Sequence, residues 1–428
     1  MCRMLEPTAE IAAKTTSDGR LSEQVLAPSP PKDAAMEGGA SNQLYSRTVL
    51  VLSGSGFAAS VNLRSMDTIL PKLSEDFGVT IGQASFVITA YAVGYGTCQL
   101  AVGLLGDRLG KVRLIVMLCL FSAVATALSS FAGSISELAA ARMLAGVAAS
   151  GIVPLAMAWI GDHIPMGDRQ SVMARYMSGT IAGGLLGQVI GGILAEAFGW
   201  RTTTLVFALG FVLVAAALMR ESRHVLPTPK SDGSALLALR GSISALRGNG
   251  YAFTVLAGVV IEGIAIFSVL SFAGASLHAR FGLSLGWIGA LLACFALGGL
   301  IYSFVVRRLL KRFRPLSLVR AGGPVAAAGL LVLGFSPYLW SIPVAITMMG
   351  FGFYLVHNPL QVHATQFLPG ARGTGVAMFA TALFLSQSIG VALVAPVVDR
   401  WGLWPVCLSA AAAMQIAGVW LSIRLRQR

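Results

Sequence analysis

Twelve apolar stretches set the terms for this chain. They fall at 48–70, 82–105, 112–131, 136–160, 172–196, 202–219, 252–276, 284–306, 316–335, 339–360, 373–398 and 403–423. Each is long enough, or nearly so, to cross about 30 Å of hydrocarbon as a helix. Inside a bilayer the backbone must satisfy its own hydrogen bonds, and a helix does so within one segment. The rest of the composition agrees: 56% of the residues are hydrophobic and only 11% are charged, against about 25% charged in soluble domains. The expected fold is all-α and integral to the membrane, with twelve transmembrane helices in two pseudo-symmetric six-helix bundles and the lipid bilayer as surroundings.

The charges that remain are unevenly placed. The net charge of +13 would suit nucleic acid in a soluble protein; here it reads as a topology bias, and no nucleic-acid partner is expected. With the N-terminus inside, 25 of the 31 Lys and Arg fall in the tails, the inner loops or the helix ends that face them. Arg64, Lys72, Arg201, Arg280 and Arg400 fall outside, and Arg142 falls in the membrane. Both termini are therefore expected in the cytoplasm. Residues 1–45 are polar, carry six acids and have no apolar core segment, so they read as a disordered tail and not as a cleaved signal. The expected organisation is this tail, a bundle over 46–219, a basic linker loop over 220–250, and a second bundle over 251–428 with a short basic tail. The five cysteines show no paired spacing, four lie in apolar runs, and no metal site is expected.

The two bundles repeat each other. Phe77-Gly78-Val79-Thr80-Ile81-Gly82 matches Phe281-Gly282-Leu283-Ser284-Leu285-Gly286 at an offset of 204, and Arg108 falls on Arg312 at the same offset. At 203 the pairs Arg169/Arg372, Glu196/Asp399 and Gly199/Gly402 align. Between the second and third stretches runs Gly103-Leu-Leu-Gly-Asp107-Arg108-Leu-Gly110-Lys111-Val-Arg113. This run resembles the loop signature G-x-x-x-D-R-x-G-(R/K)-x-(R/K) of the major facilitator superfamily. Parallel repeats in one orientation are that superfamily's arrangement, and the likeness covers about 46–426. It implies that Gly103, Asp107, Arg108, Gly110 and Lys111 brace a cytoplasmic gate. Asp107 would lean on the eleventh helix near Gly373, and Arg108 would pair with Asp162 or Asp168. The second half holds Lys311 where Asp107 stands, so an acid latch is expected in the first half alone.

Several polar residues break the apolar stretches. Arg142 and Gly146 in the fourth resemble the family's R-x-x-x-G element. A lone arginine there costs about 2.5–3.5 kcal/mol on insertion scales, so a partner or wet cavity is expected, although Glu137 marks the outer end close by. Ser53, Ser60, Arg64 and Asp67 share one face of the first helix. Arg64 and Asp67 are i,i+3 neighbours that can pair, and protonating Asp67 would release Arg64; a structural ion pair at the outer mouth is the alternative. Glu262 stands in the seventh helix with no basic residue within fifteen positions. Such a carboxyl suits proton loading, or it serves as a permanently protonated structural group. Tyr91, Tyr95 and Gln99 on the second helix, and Tyr354, His357 or Asn358, and Gln361 on the tenth, form stripes that line a solute pathway or bond helices together. His357 and His363, six apart, do not share a face for metal.

In the fifth stretch Gly179, Gly183, Gly187, Gly191 and Gly192 resemble the antiporter motif G-x-x-x-G-x-x-x-G-P-x-x-G-G, with Gln188 at the proline position. The resemblance implies a carrier of the drug and metabolite branch in a bacterial inner membrane. It would export a small organic solute against inward proton flow, as a monomer without bound cofactor. Asp67 and Glu262 would titrate, with Arg64 and Arg142 as their charge partners; Gln188 joins the pathway residues. A symporter importing a metabolite is the alternative, and a non-transporting sensor the alternative of another class. The residues present no convergent nucleophile, acid–base or metal set, so no enzyme activity is expected.

Overall fold

The computed structural model describes residues 32–222, 248–368 and 372–427, and everything described is helix or short turn. The first 31 positions of the expected tail and most of the expected linker lie outside the described residues. Helix α1 runs Lys32–Phe77, so helix begins well before the expected boundary at 46. The compact unit that carries the membrane helices starts at Arg47.

Within that unit several of the sharp turns fall on glycines with positive φ. Gly78 (φ 61) ends α1 before the short α2 (Ile81–Ala84), and Gly110 (φ 87) separates α3 (Phe86–Leu109) from α4 (Lys111–Ser129). Then come α5 (Ile135–Ala149) and α6 (Ile152–His163), two pieces of one span. Helix α7 (Met166–Ser222) is 57 residues long but breaks at Gly199, where φ is 80°. Only glycine reaches that region without Cβ strain, so α7 serves as two spans. The second half repeats the plan: α8 (Gly250–Phe281), α9 (Leu285–Arg312), α10 (Pro315–Phe335), α11 (Ser341–Ala364), α12 (Arg372–Trp401) and α13 (Trp404–Arg424). Eight of the described helical spans are individually long and apolar enough to cross a membrane. The twelve stretches expected from sequence all fall on helix.

The internal repeat extends to backbone torsions. Gly78 and Gly282 have φ of 61° and 64°, and Gly199 and Gly402 have 80° and 77°. These are the same pairs that the sequence aligns at 204 and 203. Large apolar side chains stay exposed around the bundle, among them Phe304 at 80% and Phe253 at 71%. In water that would be a liability; in hydrocarbon it costs nothing. Trp287, Trp340, Trp401 and Trp404 are exposed near helix ends on the face expected to be outer, where indole rings sit in the headgroup layer.

Candidate transport site

Helices α1 and α7 meet along a line of glycines. A Cβ on Gly183 would lie 2.8 Å from the Phe57 Cα, and one on Gly187 would lie 2.6 Å from the Val61 Cα. Gly179 faces Ser53 and Gly191 faces Ser65, each 3.0 Å from a Cβ. Four glycines at four-residue spacing therefore meet four α1 residues at the same spacing, and the two backbones approach as side chains would not allow. Gly192 turns instead to the other half, against the Leu285 backbone of α9. Gln188, at the motif's proline position, is 3% exposed and lines the central cavity, while its carbonyl accepts from Thr68 Oγ1 at 3.3 Å.

This seam sets the register of α1, and α1 carries the charges. Arg64 Nη1 lies 3.6 Å from Asp67 Oδ2, joining the pair expected from their spacing. Asp67 is buried, and its Oδ1 accepts from Ser271 of α8 at 3.4 Å. The Arg64 guanidinium stands 4.5 Å from the centre of the Phe267 ring. Both side chains line a cavity of about 190 Å³ with Ser60, Gln188, Phe353 and Tyr354. The cavity is thus built from both halves, mostly apolar, with one guanidinium in its wall. Ser53, placed by sequence on the same face, instead bonds back to Val49 O at 2.8 Å and packs on the glycine seam.

Arg142 is fully buried. It donates to Asn62 Oδ1 at 2.8 Å and to Asn62 O at 2.9 Å, and it lies 4.3 Å from the Tyr91 ring centre. Asn62 Nδ2 in turn donates to Thr126 Oγ1 at 3.1 Å. The hydrogen-bonded partner of Arg142 is therefore a neutral amide. Asn62 escapes sequence reading because it lies off the polar stripe of α1.

Glu262 has the partner its own stretch of sequence lacks. His357 of α11 places Nδ1 2.5 Å from Glu262 Oε1, and its ring stacks on Phe353 at 4.7 Å between centres. The acid is completely buried. The two carboxyls meet the same helix: Asp67 through Ser271, and Glu262 as a residue of α8. Nine residues separate those points, about 13 Å of helix rise.

The remaining expected pathway residues scatter. Tyr91 and Tyr95 stack at 6.2 Å, and Tyr95 also packs on Phe384 at 4.2 Å. Gln99 is buried, Asn358 lines a second cavity near the other helix ends, and Gln361 is exposed. At the expected gate, the surroundings of Gly103, Asp107 and Gly373 lie outside what the structure describes. Gly110 makes the turn described above. Arg108 is exposed, and Asp162 pairs with Lys111 instead, at 2.7 Å. Lys111 opens α4 and is buried beside the end of α6, whereas Arg108 ends α3 in solvent; that corrects the expected Arg108–Asp162 pair.

At the opposite face two carboxylates hold helix starts across the halves. Asp399, near the end of α12, accepts from Thr80 Oγ1 at 2.7 Å and from the Gly82 amide at 2.8 Å, at the start of α2. Glu196 of α7 accepts from the Gly286 amide at 2.9 Å, at the start of α9. Free amides at a helix start welcome a carboxylate. The two contacts are the aligned pairs Glu196/Asp399 and Gly82/Gly286 brought into reciprocal use.

A cavity between two repeated helical halves, with one guanidinium in its wall and an ion-paired carboxyl behind it, is the arrangement of a membrane carrier. The sequence profile described as Major Facilitator Superfamily matches residues 52–391, and the chain belongs to that superfamily. Its relatives include the Inner membrane transport protein YnfM of Escherichia coli (strain K12), 30% identical over 43% of this chain and 45% of that protein. The Multidrug efflux pump LfrA of Mycolicibacterium smegmatis is 32% identical over 40% and 34%. The Uncharacterized MFS-type transporter YceJ of Bacillus subtilis (strain 168) is 25% identical over 77% and 83%. The chain thus spans less than half the length of YnfM and of LfrA. In fold it is similar to the crystal structure of the nucleoside transporter NupG, with a TM-score of 0.73, 10% identity, and coverage of 88% of this chain and 99% of that one. A bacterial homologue of the human lysosomal transporter Spinster, inward-facing and occupied, gives 0.69 at 16% identity over 90% and 95%.

Proposed function

We propose that the chain is a proton-coupled secondary carrier that moves a small organic solute across a bacterial inner membrane by alternating access. The observation that carries this reading is the placement of Asp67: a buried carboxylate whose ion-pair partner, Arg64, forms part of the cavity wall. A proton on Asp67 frees Arg64, and a solute on Arg64 loosens its hold on Asp67, so each ligand biases a state that the other shares. Glu262, held by His357, is the second titrating group. A cavity of about 190 Å³ is below the 300–1,000 Å³ range of drug-sized pockets, which favours a small solute. The proton gradient drives the cycle, no cofactor is bound, the chain acts as a monomer, and both termini face the cytoplasm.

Export is the first reading of direction. It rests on the five glycines of α7 and on the efflux named for LfrA. Import by symport is the second, and the Arg64–Asp67 geometry favours it. If the solute takes the guanidinium that a proton has released, proton and solute ride together. Proteoliposomes with a pH gradient imposed in either direction separate the two. Under both readings Glu262→Gln and Asp67→Asn abolish gradient-driven accumulation while solute counterflow persists. Accumulation unchanged in both variants overturns the coupling assignment, and absence of counterflow in the wild type overturns the carrier.

A further inference from the structure

A second, larger cavity shares no lining residue with the first. It holds about 1,100 Å³, and the described residues that line it belong to α9, α10, α11 and α13 and the short segments joined to their ends. Among the described residues nothing before Tyr302 lines it, which places it in the C-terminal half. Three arginines stand in its wall: Arg314 at the start of α10, Arg320 one and a half turns later, and Arg426 beyond α13. All three are exposed, and among the described residues no acidic residue lines the cavity and none of the three is in an ion pair. His363, also in the wall, is held at Nδ1 by Tyr251 at 2.6 Å. Beside the arginines the wall is apolar, with Leu310, Val362 and Ile423, each within two residues of the end of its helix and the last two 58% and 55% exposed.

We propose that this cavity is a binding site for an anionic phospholipid, its phosphate on Arg314, Arg320 and Arg426 and an acyl chain along Leu310, Val362 and Ile423. Basic pockets between membrane helices at headgroup depth take anionic lipids, and each basic residue there contributes about fivefold to affinity. The chain's own linker is a poor occupant, since residues 223–247 hold four Lys and Arg against one acid. A bound lipid would splint α9 to α10, α11 and α13 within one half. Because the site needs only the membrane-spanning fold, it stands independently of proton coupling and of solute identity.

The test uses the purified full chain in detergent, with thermal unfolding and native mass spectrometry as readouts. Phosphatidylglycerol is expected to raise the melting temperature and to remain bound in the spectrometer, while phosphatidylcholine and inorganic phosphate do neither. Changing Arg314, Arg320 and Arg426 to Gln should weaken the phosphatidylglycerol response by about fivefold per arginine. Val362→Trp keeps every charge at an exposed position but fills the apolar part, and it should also reduce lipid retention. That variant decides the matter if the triple substitution fails to fold. A response to inorganic phosphate equal to that for the lipid would make this a free-anion site and overturn the proposal. So would an equal response to phosphatidylcholine, or lipid retention unchanged in Val362→Trp.

Discussion

Arg142 gives two of its hydrogen bonds to one neutral residue, and that makes Asn62 the more consequential of the two to lose. Removing the amide side chain leaves the bond to the residue 62 carbonyl but takes the Oδ1 acceptor from a fully buried guanidinium; a buried charged group left partly unsatisfied costs more than the 1–3 kcal/mol of a neutral one. Asn62→Ala should therefore lower stability by about 3 kcal/mol, measured by denaturant unfolding in detergent, whereas Asn62→Asp should fold. Arg142→Lys keeps the charge but gives up the paired donors, and should recover less than half of the stability lost in Arg142→Ala. Glu262 poses the reverse case. Its place in an apolar stretch singles it out from sequence, but His357 sits 95 positions away, and no local pattern announces a contact made across two helices. The same holds for Ser271, which reaches Asp67 from the other half. Single charges in lipid are legible because each is costly; their neutral partners are not, because serine, asparagine and histidine occur for many reasons.

At the scale of helices, the seam between α1 and α7 makes a sharp contrast among glycines. A methyl on Gly187 collides with the Val61 backbone, whereas around Gly210 nothing comes within 4 Å. Overpacking costs about 1–3 kcal/mol; alanine for glycine on a free helical face gains up to about 1 kcal/mol. Gly187→Ala should thus lower the melting temperature and Gly210→Ala should hold or raise it, in the same thermal-shift assay. The glycine spacing was readable in the chain, and so was its likeness to an antiporter motif. What spacing cannot tell is the partner: four glycines fit any helix presenting small steps of four, and only packing selects Ser53, Phe57, Val61 and Ser65. The gate motif shows a related limit. It identifies Lys111 and Arg108 as neighbours in the turn, but the direction in which α3 and α4 leave Gly110 decides which of them reaches Asp162.

For the molecule as a whole, the two carboxylate contacts at the helix starts are the ties most open to test. Each joins one half to the other, and an N-terminal carboxylate–amide contact is worth about 0.5–2 kcal/mol. Asp399→Asn with Glu196→Gln together should shift the balance between states by about 2 kcal/mol, or tens of fold in population, toward opening on that face. A cysteine placed at Ala296 in the cavity wall, in a background without the native cysteines, should then react faster with an impermeant maleimide from that side. An unchanged labelling rate in the double variant would show that the contacts carry no gating weight. The repeat behind this symmetry could be found by aligning the chain with itself; the reciprocity of the bonds needed both halves in space. One asymmetry remains, and it concerns Asp67. Arg64 lies on its own helix and travels with it, but Ser271 belongs to α8 and the opposite half. In the rocking motion of the proposed cycle the first contact survives and the second is cut, so the acid's surroundings are dismantled and rebuilt once per turnover. On the proposed coupling, proton exchange at Asp67 and passage of the solute run on a single clock.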